Sequence, residues 1–468
     1  MADAKNTGIR IGRRSFLLSL FFMFLVMVLA YVLTLVVPGG QYARTVNADG
    51  TETVDLASGF TEVQGGISFW KWLASPVLVL GAKGSSTLIA VLLFLVLIGG
   101  VFNSLNEQGI MSHMLTKLVR RFSHVRYRLM AAMILFFMAM GAFIGSFEEV
   151  IPLVPIVVAL AVGLGWDIQT GIAMSLLAVG CGFASGVANP FTVGVAQTLA
   201  GLPMLSGMWF RAVGFVLIYL LLFAYVYRHA KKVGKKQEAA PLPAEEAPDP
   251  KMDRGVRLFS IFMGIGILLV VVAGFVPGMG DYTMVILCLT FLTAGSSAVL
   301  ASGMGLKNYG KSFLKGIVAI LPSILLVLMA SSVRYIMEEG MILDSILRFA
   351  VETADGMPKA VLILFIYLIC LVANFFVPSG SAEAILLIPL ITPLAAAFGV
   401  SAQLCVLAFA FGDGFSNIFY PTNAALLIAL GLGGCGYGKW IKYSMPFQLL
   451  NLVLTCGVLL FGLAVGFA

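Results

Sequence analysis

The sequence predicts an all-α polytopic membrane protein of two inverted repeats, with about nine transmembrane helices, two re-entrant hairpins and two broken helices. Three observations predict it. The 468 residues are 60% hydrophobic and only 11% charged, with a mean hydropathy of +1.02, a balance that excludes a water-soluble globule. Apolar runs approaching the roughly 20 residues a helix needs to cross a bilayer recur from Phe16–Val37 to Leu449–Ala468; a β-barrel would instead alternate polar and apolar residues in segments of about ten. Finally, the stretch Gly145 to Pro190, which sets carboxylates, Gly, Ser, Asn and Pro inside apolar sequence, recurs as Pro378 to Asn423.

Arg10, Arg13 and Arg14 precede the first run in a pattern like a twin-arginine signal, but the run continues unbroken to Val37 with no small-residue cleavage site, so it reads as the first span. Pro38 to Trp70 holds Arg44 against Asp49, Glu52, Asp55 and Glu62, and this acidic loop faces outward by the positive-inside rule. Ile67 to Leu80, with Trp70, Lys71 and Trp72, is too short to span and suits an interfacial helix. A helix from about Ser86 returns inward and stops at Glu107-Gln108-Gly109, followed by a basic amphipathic surface segment, His113 to Arg128.

The first hairpin covers about 129–165, its limbs interrupted by Gly145-Ser146-Phe147-Glu148-Glu149; such backbone is tolerated at membrane depth only when buried in protein or lining a cavity. A broken helix follows at about 169–200, where Gly180, Gly182, Ser185, Gly186, Asn189 and Pro190 are expected to unwind it. Trp209 and Arg211 mark the turn into a span ending at Tyr227, which closes an N-terminal half, 1–228. Residues 229–254 turn Lys-rich and then Pro-rich, a flexible cytoplasmic linker. The C-terminal half, 255–468, repeats the plan with a hairpin at about 360–398 and a broken helix at about 403–431.

Glu107-Gln108-Gly109 matches Glu338-Glu339-Gly340 at an offset of 231, Glu149 matches Glu383 and Gly165 matches Gly399 at 234, Gly182-Phe183 matches Gly414-Phe415 at 232, and Trp209 matches Trp440 at 231. An odd number of crossings separates the copies, which inverts the second. The N-terminus then lies in the cytoplasm and the C-terminus outside a bacterial plasma (inner) membrane.

Inverted repeats with broken helices are the architecture of secondary transporters, and the candidate contacts follow. Carboxylates cost about 2.5–3.5 kcal/mol within a membrane on insertion scales and default to functional roles. Glu148 and Glu149 occupy the first tip, Glu383 the second, and Asp413 sits between two glycines in the second break. Ser146-x-x-Glu149 also fits a capping box, and Glu383, after Ser381, suits a helix N-terminus. Ser146, Ser379 and Ser381 at the tips, Ser185 and Asn189 in the first break, and Ser416, Asn417, Thr422 and Asn423 in the second offer uncharged groups to a substrate or to the freed backbone.

A sodium ion at the tips and breaks, or a proton, would serve as coupling ion; no other cofactor or metal is indicated, since the six cysteines lack ligand spacing and the three histidines lie in basic juxtamembrane sequence. Gly431 to Gly436 matches G-x-G-x-x-G but follows no strand, so it is a turn. A channel is the rival in a different class, disfavoured because channels are symmetric about the membrane normal. An intramembrane enzyme lacks its nucleophile, base or metal cluster.

The GSFEEVIPLVP and PSGSAEAILLIP tips and the GFASGVANP and GFSNIFYPTNAA breaks resemble the C4-dicarboxylate anaerobic carrier-related family of YfcC type, members of which are labelled provisionally as basic amino-acid antiporters. The resemblance covers nearly the whole chain. It places the protein in the ion transporter superfamily, and so implies a homodimer, a static scaffold part, and a mobile part carrying hairpins and broken helices in elevator fashion. The partners expected are a small-molecule substrate and the lipid bilayer, with no nucleic acid. On substrate the resemblance divides. Tips and breaks hold four carboxylates and no Lys or Arg; the nearest intramembrane cation, Arg334, has Glu338 four residues on as a partner. That excess favours a basic amino acid such as arginine or ornithine, with a C4-dicarboxylate coupled to sodium or protons as the alternative.

Overall fold

The computed structural model describes residues 13–46, 52–82, 85–145, 147–203, 206–236, 249–275, 279, 282–354 and 356–467. Helix α1 (Arg13–Val36) leads to an antiparallel pair of strands, β1 (Gly40–Val46) and β2 (Glu52–Glu62), then α2 (Phe69–Leu78), α3 (Ser85–Glu107) and α4 (Ile110–Phe122). A first hairpin consists of α5 (Arg126–Ala139), extended by a π-helical turn to Ile144, and a returning limb of 3-10 helix (Glu148–Leu153) and α6 (Val154–Gly163). The first broken helix is α7 (Ile168–Ile172), a π turn and α8 (Ala178–Ser185), then a second π turn (Pro190–Gly194) and α9 (Val195–Leu199). Long helices α10 (Met208–Lys236), α11 (Pro250–Phe275) and α12 (Thr283–Ala301) follow.

The second repeat unit runs α13 (Leu306–Glu339), α14 (Leu343–Thr353), the hairpin α15 (Lys359–Phe376) and α16 (Gly380–Ala397), the broken helix α17 (Ala402–Asn417) and α18 (Ala424–Leu432), and α19 (Tyr437–Ala464). The succession from α3 to α10 thus recurs from α13 to α19: long apolar helix, short amphipathic helix, hairpin, broken helix, long helix. Eight of the described helices are long and apolar enough to cross a membrane, with shorter apolar helices beside them. The protein is an all-α, multi-pass membrane protein.

Several helix starts are fixed locally. Side-chain oxygens of Ser68, Asp167, Ser401 and Asn423 accept the backbone N–H three residues on, supplying the cap the first turn lacks. Asp167 also accepts a hydrogen bond from Thr170 Oγ1 at 2.6 Å and faces His229 Nε2 at 2.7 Å. Burial opposes its charge, but the His229 and Thr170 hydrogen bonds outweigh it and hold the carboxyl below the ordinary aspartate range. Asp253, between Lys117 and His113 of α4, is lowered likewise by hydrogen bonds first to Lys117 and then to His113, which ties α4 to the start of α11.

Buried apolar side chains fall into three groups. The largest joins both hairpins, both broken helices, α10 and α19; a second joins α1, α2 and α13; a third joins α3, α4, α11 and α12. The polar residues of interest belong to the first.

Four features depart from the sequence reading. The acidic loop contains strands, where no regular structure was expected: β1 and β2 pair from Gly40↔Glu62 to Val46↔Glu52, and Gly40 N–H donates to Met341 O at 2.8 Å, fastening the ribbon to the α13–α14 turn. The ends of the expected linker, 229–254, are helical, because α10 continues to Lys236 and α11 begins at Pro250; residues 237–248 lie outside the described residues. Each limb of the second hairpin has 18 residues, about 27 Å at 1.5 Å per residue, so neither is the short limb expected. Finally, Gly180, Gly182, Gly412 and Gly414 are helical and do not unwind their segments, for a reason given below.

Candidate functional site

In the second half, α17 stays helical through Asn417, and the chain is irregular only from Ile418 until Asn423 caps α18. Asp413 therefore stands inside the helix, one turn from its end, and not on unwound backbone as its flanking glycines suggested. Those glycines serve close packing. A Cβ on Gly412 would lie 2.4 Å from Cys370 Cβ of the hairpin limb α15, and one on Gly414 would lie 2.2 Å from Ala184 Cα of α8. In α8 a Cβ on Gly182 would lie 1.9 Å from Met138 O of α5, and one on Gly180 would lie 2.2 Å from Ile418 of the opposite break. The broken helices cross each other and their hairpins backbone to backbone.

Amides organise the end of α17. Asn374, from α15, donates to Asp413 O at 3.0 Å and to Asn417 Oδ1 at 3.1 Å, and also to Ser416 Oγ. Asn417 Nδ2 donates to Asp413 Oδ1 at 3.0 Å, and Asn423 Nδ2 to Asn417 Oδ1 at 2.6 Å. Helix α19 supplies donors to the irregular segment's carbonyls: Trp440 Nε1 to Ile418 O at 2.9 Å, Tyr437 Oη to Phe419 O at 3.0 Å. Helix α10 does the same for the first break, where buried Arg211 donates from Nε and Nη2 to Val187 O, both at 3.3 Å. That break begins at Gly186, whose φ of 51° suits glycine, and Ala188 N–H donates to Ala142 O of the first hairpin at 2.9 Å.

The elements converge at Gly380, the first residue of α16. A Cβ there would lie 2.4 Å from Thr192 Cγ2 of the first broken helix and 2.7 Å from Asp413 Oδ2 of the second. Glu383, in the same first turn, is fully buried within electrostatic reach of Asp413. Neither of its carboxylate oxygens has a hydrogen-bond partner among the described residues, and the same holds for Thr192 Oγ1, Thr422 Oγ1 and Asn374 Oδ1. A buried polar atom left without a partner costs about 1–3 kcal/mol, more when charged. Atoms of this kind on the second hairpin and both broken helices are suited to hold a solute or ion.

Glu383, Asp413, Asn417 and Asn423 thus belong to one buried cluster, and Thr422 and Asn189 are buried on the irregular segments. Ser185 and Ser416 donate to carbonyls of their own helices, at 2.6 Å to Gly182 O and 2.6 Å to Gly412 O, and serve the backbone. Ser381 is exposed; Ser379 offers its carbonyl to Glu383 N–H at 2.8 Å. Ser146 and the side chains of Glu148 and Glu149 lie outside the described residues. Sequence reasoning missed Asn374, Thr192 and Arg211. Asn374 could have been found, as the lone amide in the apolar helix KAVLILFIYLICLVANFF.

Buried polar groups gathered where helices of a multi-pass apolar bundle are interrupted define a membrane carrier of small solutes. The chain belongs to the C4-dicarboxylate anaerobic carrier family, whose profile matches residues 16–464. It is 30% identical over 397 residues to the Escherichia coli (strain K12) protein named, provisionally, the basic amino acid antiporter YfcC, covering 80% of this chain and 77% of that one. A Haemophilus influenzae protein of uncharacterized activity is 26% identical over 382 residues, 78% and 73% of the two chains. Among solved structures, the Alcanivorax borkumensis YdaH transporter matches with a TM-score of 0.46 and 20% identity over 97% of this chain and 99% of that one. Neisseria gonorrhoeae MtrF, described as one of a class of antimetabolite efflux pumps, matches with a TM-score of 0.42 and 17% identity over 96% and 95%. At these scores the structural likeness is loose. The protein is a membrane transporter and not an enzyme.

Proposed function

We propose that the protein is a secondary active transporter that moves a small polar metabolite, an amino acid with a basic one favoured, by elevator-type alternating access, in exchange for another or coupled to sodium or protons. The observation that carries this is the convergence at Gly380 of Asp413, Glu383 and Thr192, where the buried oxygens of Glu383 and Thr192 have no partner among the described residues. Two carboxylates in one buried cluster, Glu383 and Asp413, suit an ammonium or guanidinium group, and the name of the Escherichia coli relative points the same way. The family's description supports a second reading, a C4-dicarboxylate accompanied by a cation that neutralises Glu383 or Asp413. Liposomes preloaded with arginine or ornithine should show counterflow of labelled arginine. Exchange driven by fumarate or succinate and by no amino acid would transfer the assignment to the second reading.

The same proposal includes a homodimer in a bacterial inner membrane, halves 1–228 and 255–468 joined through a cytoplasmic linker, and the second half inverted. Contacts support the inversion, since each joins segments assigned to one face: Tyr42 N–H with Asp344 at 3.0 Å, Glu107 with Lys315 at 3.2 Å, Asp167 with His229 at 2.7 Å. Equivalent exposed positions beyond α4 and at the end of α14 should then lie on opposite sides. An impermeant maleimide should label Thr353→Cys in intact cells and His124→Cys only after the membrane is opened; labelling of both from one side would rule out the inversion.

A further inference from the structure

A cavity of about 570 Å³ lies between the α13–α14 turn, the start of β1 and the second hairpin, a volume within the roughly 300–1,000 Å³ of small-molecule sites. Hairpin residues Val377, Ala382, Ile385 and Leu386 make its apolar wall, and Arg334, Glu338 and Glu339 of α13 with Asp344 of α14 its charged one; Glu339 is paired with Lys71, and Asp344 accepts the Tyr42 N–H. Ala382 lines the cavity while its neighbour Glu383 is buried toward the Asp413 cluster, so one turn of α16 serves both places from different faces.

Arg334 is set up for a ligand. Its Nε donates to Glu338 Oε1 at 2.7 Å, which fixes the plane of the guanidinium, and its two Nη groups make no hydrogen bond to any described residue. The side chain is 35% exposed. A guanidinium with both Nη groups open matches a carboxylate bidentately. Beside it Met341 holds a φ of 55°, alone in that region among the described non-glycine residues. Such backbone persists where the surroundings impose it and clusters at ligand sites; here Met341 O accepts the Gly40 N–H at 2.8 Å and anchors β1 over the cavity.

We propose that this cavity binds the carboxylate end of the transported solute through Arg334 Nη1 and Nη2, with Glu338 as the positioning residue, before the solute passes the second hairpin. The assignment deepens the preceding reading and rests on it: the cationic end of an amino acid suits Asp413 and Glu383, and its carboxylate suits Arg334, across the same turn of α16.

The test uses the full chain in lipid nanodiscs, with labelled L-arginine and with agmatine, which keeps the guanidinium and lacks the carboxylate. Wild type should prefer arginine by about tenfold or more, a factor well within a bidentate charged contact. Arg334→Gln should weaken arginine by about that factor and leave agmatine within about twofold. Ala382→Leu, which fills the cavity without touching charge, should weaken arginine as well. Unchanged arginine and agmatine binding in both variants overturns the proposal, as does a wild type that binds both equally. If succinate binds in place of arginine and Arg334→Gln weakens it, the cavity assignment stands and the amino-acid reading falls. Asp413→Asn separates the two claims: wild-type transport in that variant defeats the preceding reading, while its arginine-over-agmatine preference reports on the cavity alone.

Discussion

Asp413→Asn should reduce transport by about a hundredfold or more while leaving an inserted, monodisperse protein. The substitution preserves volume and an oxygen for the hydrogen bond from Asn417 Nδ2, so the amide chain through Asn374 and Asn423 can persist. It removes the charge facing Gly380 and Glu383. Removing one member of a buried charged contact costs about 3–5 kcal/mol, and about 1.4 kcal/mol is tenfold. Initial rates of counterflow in liposomes, with Asp413→Glu as a control that keeps charge and lengthens the side chain, measure it. A rate within about twofold of wild type would remove Asp413 from the site.

Gly182→Ala should have the largest effect on folding of any single methyl group added to the bundle. The new Cβ would stand 1.9 Å from Met138 O and 2.7 Å from Met138 Cα, backbone atoms that cannot rotate away, so α5 and α8 must separate. Overpacking of this kind costs typically about 1–3 kcal/mol, and here it also parts Gly141 from Val179 O, which a Cβ would approach to 2.2 Å. The expected result is loss of most of the monodisperse peak in detergent at 37 °C. Gly457→Ala is the matched control, since a Cβ there meets nothing within 4 Å and alanine is the better helix former by about 1 kcal/mol. Equal yields of the two variants would contradict the described crossing.

What the sequence made legible was what periodicity and composition encode. Apolar runs announced a multi-pass helical protein, and buried carboxylates announced themselves as costs. The roles of the glycines were not legible. Gly182 and Gly414 read as unwinding signals because a glycine lowers helix propensity wherever it stands, while the alternative, a helix passing at backbone distance, depends on a partner remote in the chain, Met138 for Gly182 and Ala184 for Gly414. Asp413 was picked correctly as buried, yet assigned to irregular backbone for the same reason. The β1–β2 ribbon was missed because its order comes from Met341 and Asp344, remote in the chain, and not from alternation in QYARTV or ETVDLASGFTE. Arg211 was read as a turn marker, since nothing local reveals that its guanidinium reaches back to Val187 O.

The oxygens of Glu383, Thr192, Thr422 and Asn374 that no described residue satisfies make heat a reporter of identity. A ligand that binds only the folded chain raises its stability by RT ln(1 + [L]/Kd), about 2.7 kcal/mol at a hundred times Kd, and one that completes these atoms does so without any gradient, vesicle or radiolabel. A melting series of detergent-solubilised protein against amino acids, dicarboxylates, sodium and pH would rank the candidates directly. Solute and coupling ion should raise the midpoint more together than the sum of their separate shifts, because each neutralises charge that the other must otherwise meet.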